Sequence, residues 1–227
     1  MQGKICVSIG KASPELALAQ VDAVAAKADV IEIRLDSLKK PVVTPFLSRI
    51  NPALLFTCRA SWEGGAFTGE EAARIALLDE AVAADCSYVD LELRSPAQSW
   101  RQLRHSARDS ATRLICSWHD FTMTPSREDL LRIVTEMRRS GADIGKIVTM
   151  ASSGSDALRV LALQERAAKM DFPLIAFCMG EAGIISRVAT LPLGGYMTYC
   201  APEKGDVTAP GQICIDDLQA AYAHLQL

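Results

Sequence analysis

No apolar run in this 227-residue chain approaches the roughly 18 residues that a membrane-spanning helix needs. Lysines and arginines nowhere gather into a block, and the formal net charge is −3, which argues against nucleic acid or an anionic membrane as partner. The opening MQGKICVSIG has one lysine and a short apolar stretch, without the cleavage site of a secretory signal. Seven cysteines are scattered singly, with no CxxC pair. That pattern argues against a zinc site and a disulfide framework, and it fits reduced core thiols in a cytoplasmic protein. The first strand-like run is followed by Gly10 alone before Lys11, so the glycine-rich phosphate turn of a dinucleotide fold is missing. There is no linker, repeat or low-complexity segment.

Eight short apolar runs are present instead: residues 4–9, 30–36, 54–59, 88–93, 113–119, 144–150, 173–179 and 195–200. Segments of helical period separate them. SPELALAQVDAVAAKA opens on Ser13 as N-cap and Pro14 at the first helical position. TGEEAARIALLDEAVAA suggests a cap at Thr68, and TPSREDLLRIVTEMRRSGAD a start at Thr124–Pro125 with a stop at Gly141. SGSDALRVLALQERAAKM and the closing IDDLQAAYAHLQL are equally periodic. The helices after strands 2 and 7 should be short, because Pro41, Pro45 and Pro192 interrupt them. Strands alternating with helices predict right-handed βαβ units. Eight units in one domain, residues 1–227, predict a closed (β/α)8 barrel, the TIM-barrel architecture. An open doubly wound sheet is the alternative.

Strand side chains alternate between two faces. Glu32, Arg34 and Asp36 share one face of their strand, Thr57 and Arg59 another, Asp90 and Glu92 a third, and Ser117 and His119 a fourth. Helices cover the outside of a barrel, so the polar faces must look inward and pair. Such pairs serve structure as readily as function, and Asp36 reads as a cap on the turn that follows it. His105 and His224 fall on solvated helical segments. His119 differs, because it ends a strand and the next strand carries Lys146 among Ile144, Ile147 and Val148. An enclosed lysine can form a salt bridge to an inward acid, or it can attack a ketone as the free amine. A protonated imine acidifies the neighbouring C–H bonds, and His119 is placed to remove that proton. These residues leave a dehydrating lyase, an imine-forming class I aldolase and an inactive barrel serving as a binding module all open.

Six strings occur in order: EIRLD, FTCRASWEGG, SWHDF, GADIGKI, GIISR and APGQ. With them the chain resembles type I 3-dehydroquinate dehydratase over essentially its whole length. The resemblance implies a (β/α)8 barrel, commonly a homodimer, acting on 3-dehydroquinate without metal or organic cofactor. It implies that Lys146 forms the imine, that His119 is the general acid and base, and that Glu63 orients the histidine. Arg187 would take the substrate carboxylate. Glu32, Arg34 and Arg59 would bind ring hydroxyls and pair with one another. Met179 and Tyr199 would line the pocket. Thr208 and Gln212 would come from a lid over residues 201–212. Thr208 stands where the family often has serine, and Phe177 where some members have methionine.

Overall fold

The computed structural model describes residues 3–50 and 52–226. Residues 1, 2, 51 and 227, which belong to the predicted 1–227 domain, lie outside the described residues. Eight strands alternate with helices. They are β1 (Lys4–Ile9), β2 (Val30–Arg34), β3 (Ala53–Thr57), β4 (Tyr88–Glu92), β5 (Arg113–Asp120), β6 (Ile144–Met150), β7 (Leu174–Met179) and β8 (Met197–Cys200). The helices are α1 (Pro14–Val24), α2 (Thr44–Leu47), α3 (Glu71–Ala83), α4 (Ala97–Ser106), α5 (Arg127–Arg139), α6 (Gly154–Leu161), α7 (Leu163–Lys169), α8 (Ile184–Ala189) and α9 (Ile215–Leu225). All ladders are parallel, in the order β7-β6-β5-β4-β3-β2-β1-β8. Tyr196 N donates to Leu174 O across the remaining seam, 2.8 Å, so the barrel is nearly closed. Among the described residues, no helix is long and apolar enough to cross a membrane.

The sheet separates two apolar layers. Outside it, residues such as Ile31, Phe56, Val89 and Ile147 pack under the helices, while Cys6, Val30, Leu55, Ile115, Ile144 and Ile175 fill the interior. All seven cysteines are buried and free.

The prolines shorten helices where predicted: α2 has four residues and α8 six. Ser13 caps α1. Two predicted caps move. α3 starts after Glu70 rather than at Thr68. α5 is capped by Ser126, whose hydroxyl accepts from Asp129 N. Thr124 is engaged elsewhere, sharing a hydrogen bond with the Thr149 hydroxyl and donating to Met150 O, both at 2.8 Å. The periodic stretch 154–169 is two helices broken at Ala162. Several strands also end earlier than predicted, and β2 gives way at Leu35 to a 3-10 turn.

Candidate active site

Register sets the two reactive side chains on one face. Ser117 pairs with Lys146 and His119 with Val148 across β5 and β6. His119 therefore lies two residues beyond Lys146 along the barrel axis, a rise of about 6.6 Å. Both line a cavity at the C-terminal ends of the strands. The structure brings all the predicted site residues to this one cavity: Lys146, His119, Glu63, Glu32, Arg34, Arg59, Arg187, Thr208, Gln212, Met179 and Tyr199. Gly64, Phe121, Val148, Phe177 and Ala209 complete its wall. Phe121 was within reach, since it closes the SWHDF string; Val148 and Ala209 carry no chemical signal in the sequence.

Lys146 is 4% exposed, and its salt-bridge reading is realised. Nζ lies 3.2 Å from Asp90 Oδ2 and 3.7 Å from Glu32 Oε1, with the Tyr199 ring centroid at 4.0 Å. Asp90 also accepts from Arg59 Nη2, 2.8 Å, and from the Ser117 hydroxyl, 2.6 Å. Burial works against that carboxylate, but Arg59 and Lys146 outweigh it and hold it below the usual carboxylate range. Glu32 accepts from the Ser8 hydroxyl and from the Thr57 hydroxyl.

The three residues expected to pair among themselves do not. Arg34 forks onto Asp36, at 2.9 and 2.7 Å, and Arg59 goes to Asp90 and Glu92. The reason is local. Asp36 sits in the 3-10 turn two residues after Arg34, and its carboxylate also accepts from Arg59 N and Ala66 N. It ties the β2 and β3 loops together rather than capping its own turn. Glu92 bridges Arg59 inside the barrel to Arg74 of α3, whose Nη1 donates at 2.6 Å.

Glu63 is carried by a short 3-10 turn, residues 61–63, which ends at Gly64 in the left-handed region at φ 77°. A Cβ at Gly64 would run into the Phe121 ring, so the turn needs glycine twice over. Phe121 stacks on His119 at 6.2 Å, 20° between planes. Glu63 Oε1 accepts from His119 N at 2.9 Å and faces Nδ1 at 3.0 Å. With Glu63 ionised, that contact places the proton on Nδ1 and leaves Nε2 with a free lone pair. Burial, with Arg59 and Lys146 adding to it, holds His119 well below the ordinary imidazole range, so the ring is neutral. Burial pushes Glu63 up to about 7, with Arg59 and Arg94 pulling against it.

The opposite wall is different. Arg187 of α8 is 1% exposed, and no carboxylate among the described residues pairs with it. Nη2 donates to Pro210 O at 3.2 Å, Nε has no partner, and the Phe177 ring centroid lies 4.6 Å from the guanidinium carbon. Burial pulls this arginine down to about 10. The Tyr199 hydroxyl is also buried, with no hydrogen-bond partner among the described residues.

From the loop 201–212, Thr208, Ala209 and Gln212 line the cavity. Thr208 donates its hydroxyl toward Ser8 Oγ, 3.1 Å, and its N–H to Gln212 Oε1, 2.8 Å. Gly211, at φ 70°, packs against Gly180, whose carbonyl would lie 2.6 Å from an added Cβ. Lys11 Nζ and Gln20 Nε2 both donate to Asp206 Oδ2, the former at 2.5 Å. Among the described residues, no group of three or more histidine, cysteine and acidic side chains is arranged to hold a metal.

A family model described as type I 3-dehydroquinase matches residues 5–227. The chain is 49% identical over 220 residues to 3-dehydroquinate dehydratase of Desulfotalea psychrophila, covering 97% of each. It is 34% identical to that of Methanocaldococcus jannaschii, covering 98% of this chain and 99% of the relative. The crystal structure of 3-dehydroquinate dehydratase from Geobacillus kaustophilus superposes with a TM-score of 0.91 at 28% identity, covering 100% of this chain and 92% of that one. The type I enzyme from Clostridium difficile, described as carrying covalently modified comenic acid, gives 0.89 at 28%, covering 99% and 92%.

Proposed function

The chain belongs to the type I 3-dehydroquinase family, and we propose that it dehydrates 3-dehydroquinate to 3-dehydroshikimate through an imine on Lys146. One observation carries the mechanism. An enclosed lysine lies one strand from a neutral, glutamate-held histidine, and a buried arginine without a counter-ion faces them. The family sets the aldolase and binding-module readings aside.

In the proposed reaction, Asp90 and Glu32 are within reach to relay the Lys146 proton, which must leave before attack. Nζ adds to the C3 ketone, and loss of water gives the protonated imine. His119 Nε2 takes the C2 proton, and the electron pair is held as the enamine. The C1 hydroxyl then leaves with a proton from the same imidazolium, and a water molecule hydrolyses the imine to free Lys146. The balance is substrate to product plus one water. No electrons are exchanged with a partner, and Lys146 is itself the electron sink, so the route uses no cofactor. Arg187 receives the substrate carboxylate, for which a planar fork is suited. Glu32, Arg34 and Arg59 meet ring hydroxyls, Met179 and Tyr199 form the apolar wall, and Thr208 and Gln212 seal it. The covalently modified ligand of the Clostridium difficile relative supports a covalent route. A cytoplasmic homodimer belongs to the same reading, and sedimentation of the purified protein tests the dimer.

Intact-mass spectrometry after borohydride reduction, with and without 3-dehydroquinate, tests the proposal. A substrate-dependent gain on the peptide containing Lys146, showing loss of water from the adduct, is expected. A folded protein with no gain would overturn the imine.

A further inference from the structure

The two oxygens of Glu63 are used unequally. Oε1 meets His119 twice, while Oε2 is buried with no hydrogen-bond partner among the described residues. A carboxylate oxygen left in that state is costly unless a charge compensates it. Arg94, two residues beyond β4, brings Nη1 to 3.9 Å from Oε2. That is too long for a hydrogen bond and short enough for a strong field. The guanidinium is held there by the Trp118 ring, 5.0 Å below it on β5, next to His119.

Other charges face the pair from every element around it. Arg34 approaches from β2, Arg59 from the end of β3, Glu92 from β4 and Lys146 from β6, and Asp120, next to His119 on β5, lies within the field of Arg94. The three cations among them are already committed: Arg34 to Asp36, Arg59 to Asp90 and Glu92, and Lys146 to Asp90 and Glu32. Arg94 has no other carboxylate within 4.0 Å among the described residues.

We propose that Arg94 is a positioning residue for the His119–Glu63 pair: from outside the cavity it holds Glu63 as the acceptor for Nδ1–H and so keeps Nε2 free to act as base. This rests on the reading of His119 as the base. Without Arg94, Glu63 takes up a proton more readily. A protonated Glu63 no longer orders the ring, and base function is lost at the acid end of the range. The direction agrees with electrostatics, since a nearby positive charge favours the ionised carboxylate and the neutral imidazole.

The test is the pH dependence of kcat/KM for Arg94→Gln in the full chain with 3-dehydroquinate. The acid limb should move to higher pH by a few tenths of a unit, as an exposed, screened charge permits. The deficit, about twofold to threefold low on the acid limb, should vanish on the alkaline plateau. Arg94→Lys, which keeps the charge, should recover most of it. A merely structural role would lower kcat/KM equally at every pH, and that result, or an acid limb unmoved from wild type, overturns the proposal. Proton NMR of the imidazole signals in the ligand-free protein separates this from the functional reading. The chain has three histidines, so His119→Ala identifies the signal. A shifted titration in Arg94→Gln supports the coupling even if wild type proves inactive on 3-dehydroquinate. An unshifted titration with normal turnover refutes this proposal alone.

Discussion

Arg59 and Arg187 line the same cavity, and both are almost fully buried, yet their surroundings are opposite. Arg59 donates to Glu92 at 2.9 Å, Asp90 at 2.8 Å and Ser117 at 2.6 Å, and these acids outweigh its burial and raise it above its ordinary value. Arg187 has one backbone carbonyl at 3.2 Å, an aromatic face and an orphan Nε, and it is pulled down to about 10. The β2–β5 wall is thus a closed circuit of charge that holds Lys146 in place. The β7–α8 wall carries an uncompensated cation. A buried charge without a partner is tolerated where a ligand supplies the partner, so the difference fits the proposed carboxylate site at Arg187.

The sharpest way to break this picture is at the centre of the circuit. Lys146→Ala should abolish imine trapping and lower kcat by on the order of 10⁴ or more, because the electron sink is gone. An adduct trapped in that variant would move the nucleophile elsewhere. His119→Ala should still be trapped as an imine but turn over about 10²–10⁴-fold more slowly, the range of general base catalysis. A kcat within tenfold of wild type would remove His119 from the proton transfer.

The arginine comparison can be tested directly with one substitution on each wall. Arg59→Met leaves Asp90 and Glu92 buried with fewer counter-charges and should destabilise the fold by roughly 3–5 kcal/mol. Arg187→Met removes an unpaired charge, so the ligand-free protein should be no less stable, by thermal melting, than wild type. Its KM should rise about 10- to 100-fold, the loss of a charge-assisted pair worth roughly 1.5–3 kcal/mol. Equal melting losses in the two variants would show that the walls do not differ as described.

The contrast also explains what could be read from the chain and what could not. Strand parity put Glu32, Arg59, Asp90, Glu92, Ser117 and His119 on inward faces, and the inward direction followed from helices covering the outside. Proline positions gave the short α2 and α8. Partner choice was beyond reach. EIRLD shows that Glu32, Arg34 and Asp36 share a face, but not that the 3-10 turn swings Asp36 back onto Arg34. Nor does any local pattern link Glu92 through the barrel wall to Arg74. Caps failed where tertiary contacts took the hydroxyl, as Thr149 and Met150 did with Thr124. The specific roles came from the family strings, because spacing alone left Lys146 divided between ion pair and nucleophile.

The smallest effect concerns how the lid joins the two walls. Asp206 lies two residues before Thr208, and Lys11 and Gln20, both outside the cavity, hold it. Thr208, which also donates to Gln212, reaches the β1 side through Ser8, while Pro210 O meets Arg187 on the other. The Asp206 anchor is about a quarter exposed, so salt screens it in part. Asp206→Ala should raise KM by roughly twofold to fivefold, the worth of a partly exposed pair, with kcat and melting temperature little changed. Raised ionic strength should increase KM more in wild type than in the variant, and Lys11→Met in the Asp206→Ala background should add almost nothing. A KM that stays at the wild-type value would mean that Thr208, Gln212 and Arg187 hold the loop without help. Closure would then depend on the same unpaired arginine proposed to take the substrate carboxylate, and lid and carboxylate binding would be a single event.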